Sequence, residues 1–261
     1  MFCLMSPPVE NSVVQIDQDR WLLGDAMAKA WRTEMQLESD TIQFVNRVSS
    51  LPTPKIVYSW IDTYWSRSFL ILESVKGKTL AQAWDTLSSD RRTQLASTVA
   101  RFCKALAAMT SGRLETADGT GIVEPFLIAR PPDSEPSWKP QFLGPYSIEL
   151  LQSYLADPSA TKSRAIAPFL FYYVDLGPGN IIVDDDGDLV AILDWESAAF
   201  HPMFWLGTKP LLSAGFLLPN GDRKAWAILL TKALELEGFA PDMDRYLTWK
   251  RAIGKNLIVS A

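Results

Sequence analysis

Residues 173–196 read Tyr173-Val174-Asp175-Leu176-Gly177-Pro178-Gly179-Asn180-Ile181-Ile182-Val183-Asp184-Asp185-Asp186-Gly187-Asp188-Leu189-Val190-Ala191-Ile192-Leu193-Asp194-Trp195-Glu196. The runs 181–183 and 189–193 are apolar or β-branched, and Asp185-Asp186-Gly187 between them supplies a turn whose glycine tolerates positive φ. An antiparallel hairpin follows, and it brings Asn180 at its entry and Asp194 at its exit to the same end. Asp175 lies just upstream, in a stretch that Gly177, Pro178 and Gly179 keep from being helical. Two carboxylates and one amide therefore converge on one rim. Phosphoryl transfer uses such a set: an Asp to accept a hydroxyl proton, then an Asn and a second Asp to hold Mg²⁺ against phosphate. A calcium loop is a poorer account of the acidic tract, because Gly187 comes too early for the sixth position of an EF-hand.

Composition narrows the field. The chain has 261 residues, 48% of them hydrophobic, with a formal charge of −5 and a pI near 5.0. That suits a globular domain or two lobes sharing a cleft. The acidic balance argues against nucleic acid as partner, since phosphate backbones demand faces rich in Lys and Arg, and it is compatible with a cationic small substrate. Cys3 and Cys103 are the only cysteines, so neither a disulfide framework nor a zinc cluster is available. The N-terminus lacks a signal-peptide pattern and no segment has the apolar length of a membrane span, so the expectation is a cytoplasmic protein without a membrane partner. The single histidine, His201, is expected to be structural, because no Gly-x-Ser-x-Gly elbow accompanies it.

Outward from the hairpin the pattern is organised. Residues 13–23 read as a hairpin turning at Asp17 to Asp19, and 25–48 as a helical segment carrying Met27, Trp31, Met35, Ile42 and Val45. Residues 55–60 and 69–75 read as further strands, the second ended by Gly77. Ser88 or Ser89 caps a helix whose buried stripe is Leu95, Val99, Phe102, Cys103 and Leu106. The proline-rich stretch 113–146 reads as a long ordered loop, Ser147 caps the next helix, and Asp222 starts another that ends at Gly238.

The string Asp175-Leu176-Gly177-Pro178-Gly179-Asn180 with Asp194-Trp195-Glu196 resembles the catalytic and metal-binding loops of the aminoglycoside phosphotransferase and choline kinase-like family, of the kind common in fungi. The likeness extends to Leu51-Pro52-Thr53-Pro54-Lys55-Ile56, to 72–80 as a linker between lobes, and to Leu143-Gly144-Pro145-Tyr146-Ser147 ahead of a helix. The resemblance implies an α+β, bilobal protein-kinase-like fold, with a reduced β-rich N-lobe over 1–75 and a larger, mainly helical C-lobe over 76–261. It implies ATP and Mg²⁺, with Asp175 as proton acceptor, and Asn180 and Asp194 as metal ligands. Glu38 would pair with a phosphate-binding lysine, and the backbone of Glu73, Ser74 and Val75 would meet the adenine.

Some positions depart from that pattern. Tyr173 stands where the family usually has a histidine, in a supporting role. If 13–16 is the lysine-bearing strand, Gln15 replaces the lysine; if 20–23 is, a leucine does. Lys29 falls in the predicted helix, and no Gly-rich phosphate loop precedes it. Two expectations follow: an ATP- and Mg²⁺-dependent phosphotransferase acting on a small-molecule hydroxyl or amine, or a diverged non-kinase using the cleft as a binding scaffold or for acid/base chemistry such as cyclisation. Trp60, Trp65, Trp138, Trp195 and Trp205, near predicted loops, would suit an apolar or cationic ligand in the second case.

Overall fold

The computed structural model describes residues 13–32, 36–128, 141–155 and 168–256. The first lobe is an antiparallel five-stranded sheet in the order β1-β2-β3-β5-β4, made of β1 (Val13–Gln15), β2 (Arg20–Leu23), β3 (Ala26–Arg32), β4 (Ile56–Asp62) and β5 (Arg67–Glu73). One helix, α1 (Glu38–Val48), joins β3 to β4 and carries Glu38 and Asp40 in its first turn, where the helix dipole favours acids.

The segment 25–48 is therefore not one helix. Residues 26–32 form β3, paired along its length with β5 and also with β2, and only 38–48 are helical. The four-residue spacing of Met27 and Trp31 satisfies a period of 2 as well as a period of 3.6. Flanking partners decide between them, and β2 and β5 offer ladder hydrogen bonds on both sides. Met35 lies outside the described residues.

Beyond β5 the chain passes through Ser74–Gly77 into the larger lobe. There β6 (Lys78–Thr79) leads into the short α2 (Leu80–Ala83), held by a capping box between Thr79 and Gln82. The long α3 (Ser89–Ala107) follows, its N-terminus capped by Ser88. Next come β7 (Thr110–Ser111), β8 (Arg113–Thr116), β9 (Tyr146–Ser147), α4 (Ile148–Leu155), β10 (Phe169–Tyr172), β11 (Ile181–Val183), β12 (Leu189–Ile192) and β13 (Ala199–Pro202). The chain continues with α5 (Met203–Leu212), α6 (Ala225–Leu236) and α7 (Met243–Asn256). The predicted strands at 181 and 189 pair antiparallel, as expected, with Ile181 opposite Ile192. The stretch 113–146 is more ordered than a loop at both ends, because β8 pairs with β13 and with β9. That pairing is non-local, so no local pattern announces it.

A continuous core runs from Ile42 and Val45 in α1 through the stripe of α3 to Trp205, Trp226 and Trp249 in the C-terminal helices. Close approaches fix the linker. Gly77 has φ +138°, and a Cβ there would lie 2.5 Å from the Val183 carbonyl oxygen, so glycine lets the chain turn and press against the hairpin at once. Among the described residues no helix is long and apolar enough to cross a membrane. The small β-rich lobe and larger helical lobe make the architecture α+β and kinase-like, as expected.

His201 is part of this core. It is 1% exposed, its ring lies tilted 5.2 Å from that of Tyr172, and burial pushes its imidazole from an ordinary 6.5 down to about 3. The unfolded chain then takes up the proton first, so the stability tied to this group is complete above pH 6.5 and is lost as pH falls toward 3. At about 1.36 kcal/mol per pH unit, roughly 2–3 kcal/mol disappears between pH 6.5 and 4.5. Urea denaturation of wild type and His201→Phe across that window measures it: the variant should show a shallower acid loss by that amount.

Candidate active site

Asp175 follows β10 in a loop whose backbone is anchored carbonyl by carbonyl. The Leu176 carbonyl accepts from the Trp226 indole at 2.8 Å, the Gly177 carbonyl from Asn180 N–H at 3.0 Å, and the Pro178 carbonyl from Ala81 N–H at 2.9 Å. Gly177 also packs so tightly that a Cβ would sit 2.3 Å from the Gly215 carbonyl oxygen. A loop with three successive carbonyls bonded, two of them to helices α6 and α2 and one within the loop itself, is preorganised. Asp175 and Asn180 are half-buried, while residues 171–174 and 176–178 are buried and Gly179 is exposed.

The Asn180 amide donates to Asp175 Oδ2 at 3.0 Å, to the Asp175 carbonyl at 3.0 Å and to the Tyr173 hydroxyl at 2.9 Å. Its nitrogen is thus committed inward, which leaves Oδ1 for a cation. Tyr173 in turn donates to the Leu193 carbonyl at 2.8 Å, bracing the loop against the end of the hairpin. Leu193 N–H donates to the Asn180 carbonyl at 2.8 Å, so Asn180 sits across the hairpin from the residue before Asp194. The three predicted polar groups do share one rim.

Asp194 has φ 60° and ψ 52°, a left-handed conformation at the start of a 3₁₀ turn over Trp195–Ser197. Its carboxylate meets the ammonium of Lys29, and Lys29 also reaches Glu38 Oε2 at 2.8 Å. Glu38 Oε1 accepts the Trp195 backbone N–H at 3.2 Å. The lysine absent from the sequence reading is therefore present. Lys29 is on β3, not in a helix, and neither Gln15 nor a leucine occupies its place. Glu38 has its partner.

Electrostatics bind this cluster. Burial works against the Lys29 ammonium, but the carboxylates of Glu38, Asp194 and Glu196 outweigh it and raise the lysine above its ordinary value. Burial raises Glu38, against the opposing pull of Lys29. Glu196 is pushed up to about 7, first by burial and then by Glu38. Carboxylate oxygens of Glu38, Asp194 and Glu196 all lie within 4.8 Å of one another. These are hard oxygen donors, the kind Mg²⁺ prefers. Glu196 and Lys29 are the two members that sequence reasoning missed. For Glu196 the available signal was its place two residues after Asp194.

A cavity of about 470 Å³ lies over the cluster, lined by Lys29, Asp194, Glu196 and the β1–β2 turn. At the linker, Glu73 N–H donates to the Lys55 carbonyl and Ser74 N–H to the Asp25 carbonyl, while Val75 N–H has no partner among the described residues. The Glu73 carboxylate is turned outward to Lys55. Of the tryptophans, Trp195 and Trp205 are fully buried, Trp60 and Trp65 are exposed on β4 and the turn after it, and Trp138 lies outside the described residues.

The sequence model of the family described as "Phosphotransferase enzyme family" matches residues 6–205. Among solved structures the chain is similar to an aminoglycoside-3'-phosphotransferase of type VIII, at 12% identity and TM-score 0.54 over 93% of this chain and 92% of that one. It is similar to a thermostable mutant of aminoglycoside phosphotransferase APH(4)-Ia in ternary complex with AMP-PNP and hygromycin B, at 14% identity and TM-score 0.54, over 94% and 84%. It is also similar to APH(2")-IIia in complex with GDP and kanamycin, at 16% identity and TM-score 0.53, over 93% and 82%. No curated protein sequence matches the chain.

Removing the cation should expose the strain among three neighbouring carboxylates. Breaking a buried pair by deleting one partner costs on the order of 3 kcal/mol. Lys29→Met is expected to lose about that much in urea denaturation at pH 8; a loss under about 0.5 kcal/mol would mean the cluster does not brace the lobes.

Proposed function

Because the chain belongs to the phosphotransferase enzyme family, we propose that it transfers the terminal phosphoryl group of ATP, with Mg²⁺, to a hydroxyl or amine of a small molecule. The observation that carries this is the bonded pair Asp175–Asn180 standing on the same rim as an Asp194 that Lys29 and Glu38 hold from the other lobe. Asp175 takes the proton from the acceptor hydroxyl or amine as its oxygen or nitrogen bonds to phosphorus. The bond from phosphorus to the leaving diphosphate oxygen breaks in the same in-line displacement. Lys29 meets the negative charge of the phosphates, and Glu38 keeps the ammonium pointed into the cavity. Asn180, Asp194 and Glu196 would hold Mg²⁺, which neutralises charge on the phosphate oxygens.

The adenine would lie against the linker, where Val75 N–H is a free backbone donor. Nucleotide and nucleotide analogues in the similar structures, AMP-PNP in one and GDP in another, support a nucleotide in this cleft. Hygromycin B and kanamycin, bound by those proteins, are hydroxylated amines, and a net charge of −5 here suits an acceptor of that polarity. Lys29, paired with Glu38 on β3, supplies the lysine that the non-kinase alternative took as missing, which favours the phosphotransferase reading.

Thermal melting with and without Mg²⁺ at millimolar ATP tests the nucleotide half, and ADP release in the presence of a panel of amino alcohols and amino sugars tests transfer. Wild type should show a Mg²⁺-dependent upward shift that Asp194→Asn abolishes. Asp175→Asn should keep the shift and lose ADP release by about a hundredfold or more, the range of a general base. No Mg²⁺-dependent shift at millimolar ATP would overturn the proposal.

A further inference from the structure

The turn between β1 and β2 lacks glycine and holds its own amides. Ile16 N–H donates to the Arg20 carbonyl at 2.9 Å, Asp17 N–H to the same carbonyl at 3.4 Å, and Asp19 N–H to Asp17 Oδ1 at 3.1 Å. A loop that cradles phosphate does so with backbone N–H groups turned outward. Here three of those groups are turned inward, and Asp17 and Asp19 add negative charge beside the cavity. With those three amides engaged, holding a phosphate at this end falls mainly to side chains.

Arg20 is placed to do it. In the ladder between β2 and β3, Arg20 is the direct cross-strand partner of Lys29, so both side chains leave the same face of the sheet. Both line the cavity of about 470 Å³ above Asp194 and Glu196. The Arg20 guanidinium is occupied by Asp17 of the turn, through Nε and Nη2 to Oδ2 at 2.6 Å each. Side-chain exposures of 44% and 40% put that pair at the water-lined rim, where an ion pair is weak and its partner is readily exchanged. A guanidinium fork suits two phosphate oxygens better than one carboxylate oxygen.

We infer that Arg20 is a second phosphate-binding residue acting beside Lys29, and that Asp17 is a built-in competitor which occupies Arg20 until a triphosphate displaces it. The inference rests on the phosphotransferase reading and deepens it: side chains on β2 and β3 take over the work of the glycine-rich loop. Asp17 then sets how tightly the triphosphate is held.

Binding of MgATP, adenosine and inorganic tripolyphosphate to wild type, Arg20→Gln, Arg20→Lys, Asp17→Asn and the double variant D17N/R20Q tests this by calorimetry. Expected are a tenfold or greater weakening of MgATP and tripolyphosphate by R20Q, partial recovery in R20K, and a several-fold tightening by D17N. Adenosine should be unaffected throughout. In the double variant the gain from D17N should vanish. If D17N tightens MgATP equally with and without Arg20, Asp17 acts by plain repulsion and the inference falls. If MgATP binds and R20Q matches wild type, the inference falls while the phosphotransferase reading stands. Tripolyphosphate binding that depends on Arg20, with no MgATP binding, would keep the anion site and sink the nucleotide reading; no binding of either overturns both.

Discussion

Among the described residues, the two lobes meet through a charged junction. Lys29 on β3 contacts Glu38 from α1 and Asp194 from the end of the hairpin, and Glu38 also accepts the Trp195 backbone N–H. Gln36, just ahead of α1, adds a neutral tie by donating to the Ala198 carbonyl at 2.7 Å. An ammonium this enclosed is tolerable only because several carboxylates surround it, and those carboxylates are tolerable only because of the ammonium. The orientation of α1, the height of β3 over the cleft and the aim of Asp194 are therefore settled together. Shifting one member leaves a buried charge exposed to its like.

The larger lobe supplies the complementary constraint, which is rigidity without charge. Trp226 on α6 reaches the Leu176 carbonyl, Ala81 on α2 reaches that of Pro178, and Tyr173 crosses to Leu193. Apolar burial around Trp195, Trp205 and Trp226 keeps these single hydrogen bonds in dry surroundings, where each is costly to break. A carboxylate proposed to act on a bound molecule needs to be fixed before the molecule arrives. Asp175 meets that need through its neighbours' backbone rather than through contacts of its own carboxylate alone.

How much of this was legible depended on whether the signal was local. The hairpin was readable because Asp185-Asp186-Gly187 and the flanking apolar runs encode turn and strands within a dozen residues. The convergence of Asp175, Asn180 and Asp194 followed from it. Lys29 was hidden because Met27 and Trp31 are four apart, a spacing that strand and helix share, and only the pairing of β3 with β2 and β5 resolves it. The order in β8 was hidden because its partner, β13, lies far along the chain. Glu196 was overlooked because an acid next to a turn is ordinarily solvent-facing, whereas here the 3₁₀ turn folds it inward beside Glu38.

Asp194 combines two demands that few side chains satisfy: a left-handed backbone and a negative charge. Only glycine visits that region freely, with asparagine and aspartate following because their short polar groups bond locally. Glutamate carries the charge but not the backbone preference; asparagine and glycine keep the backbone but lose the charge. A change to asparagine or glycine would therefore keep the turn while removing the negative charge that faces Lys29.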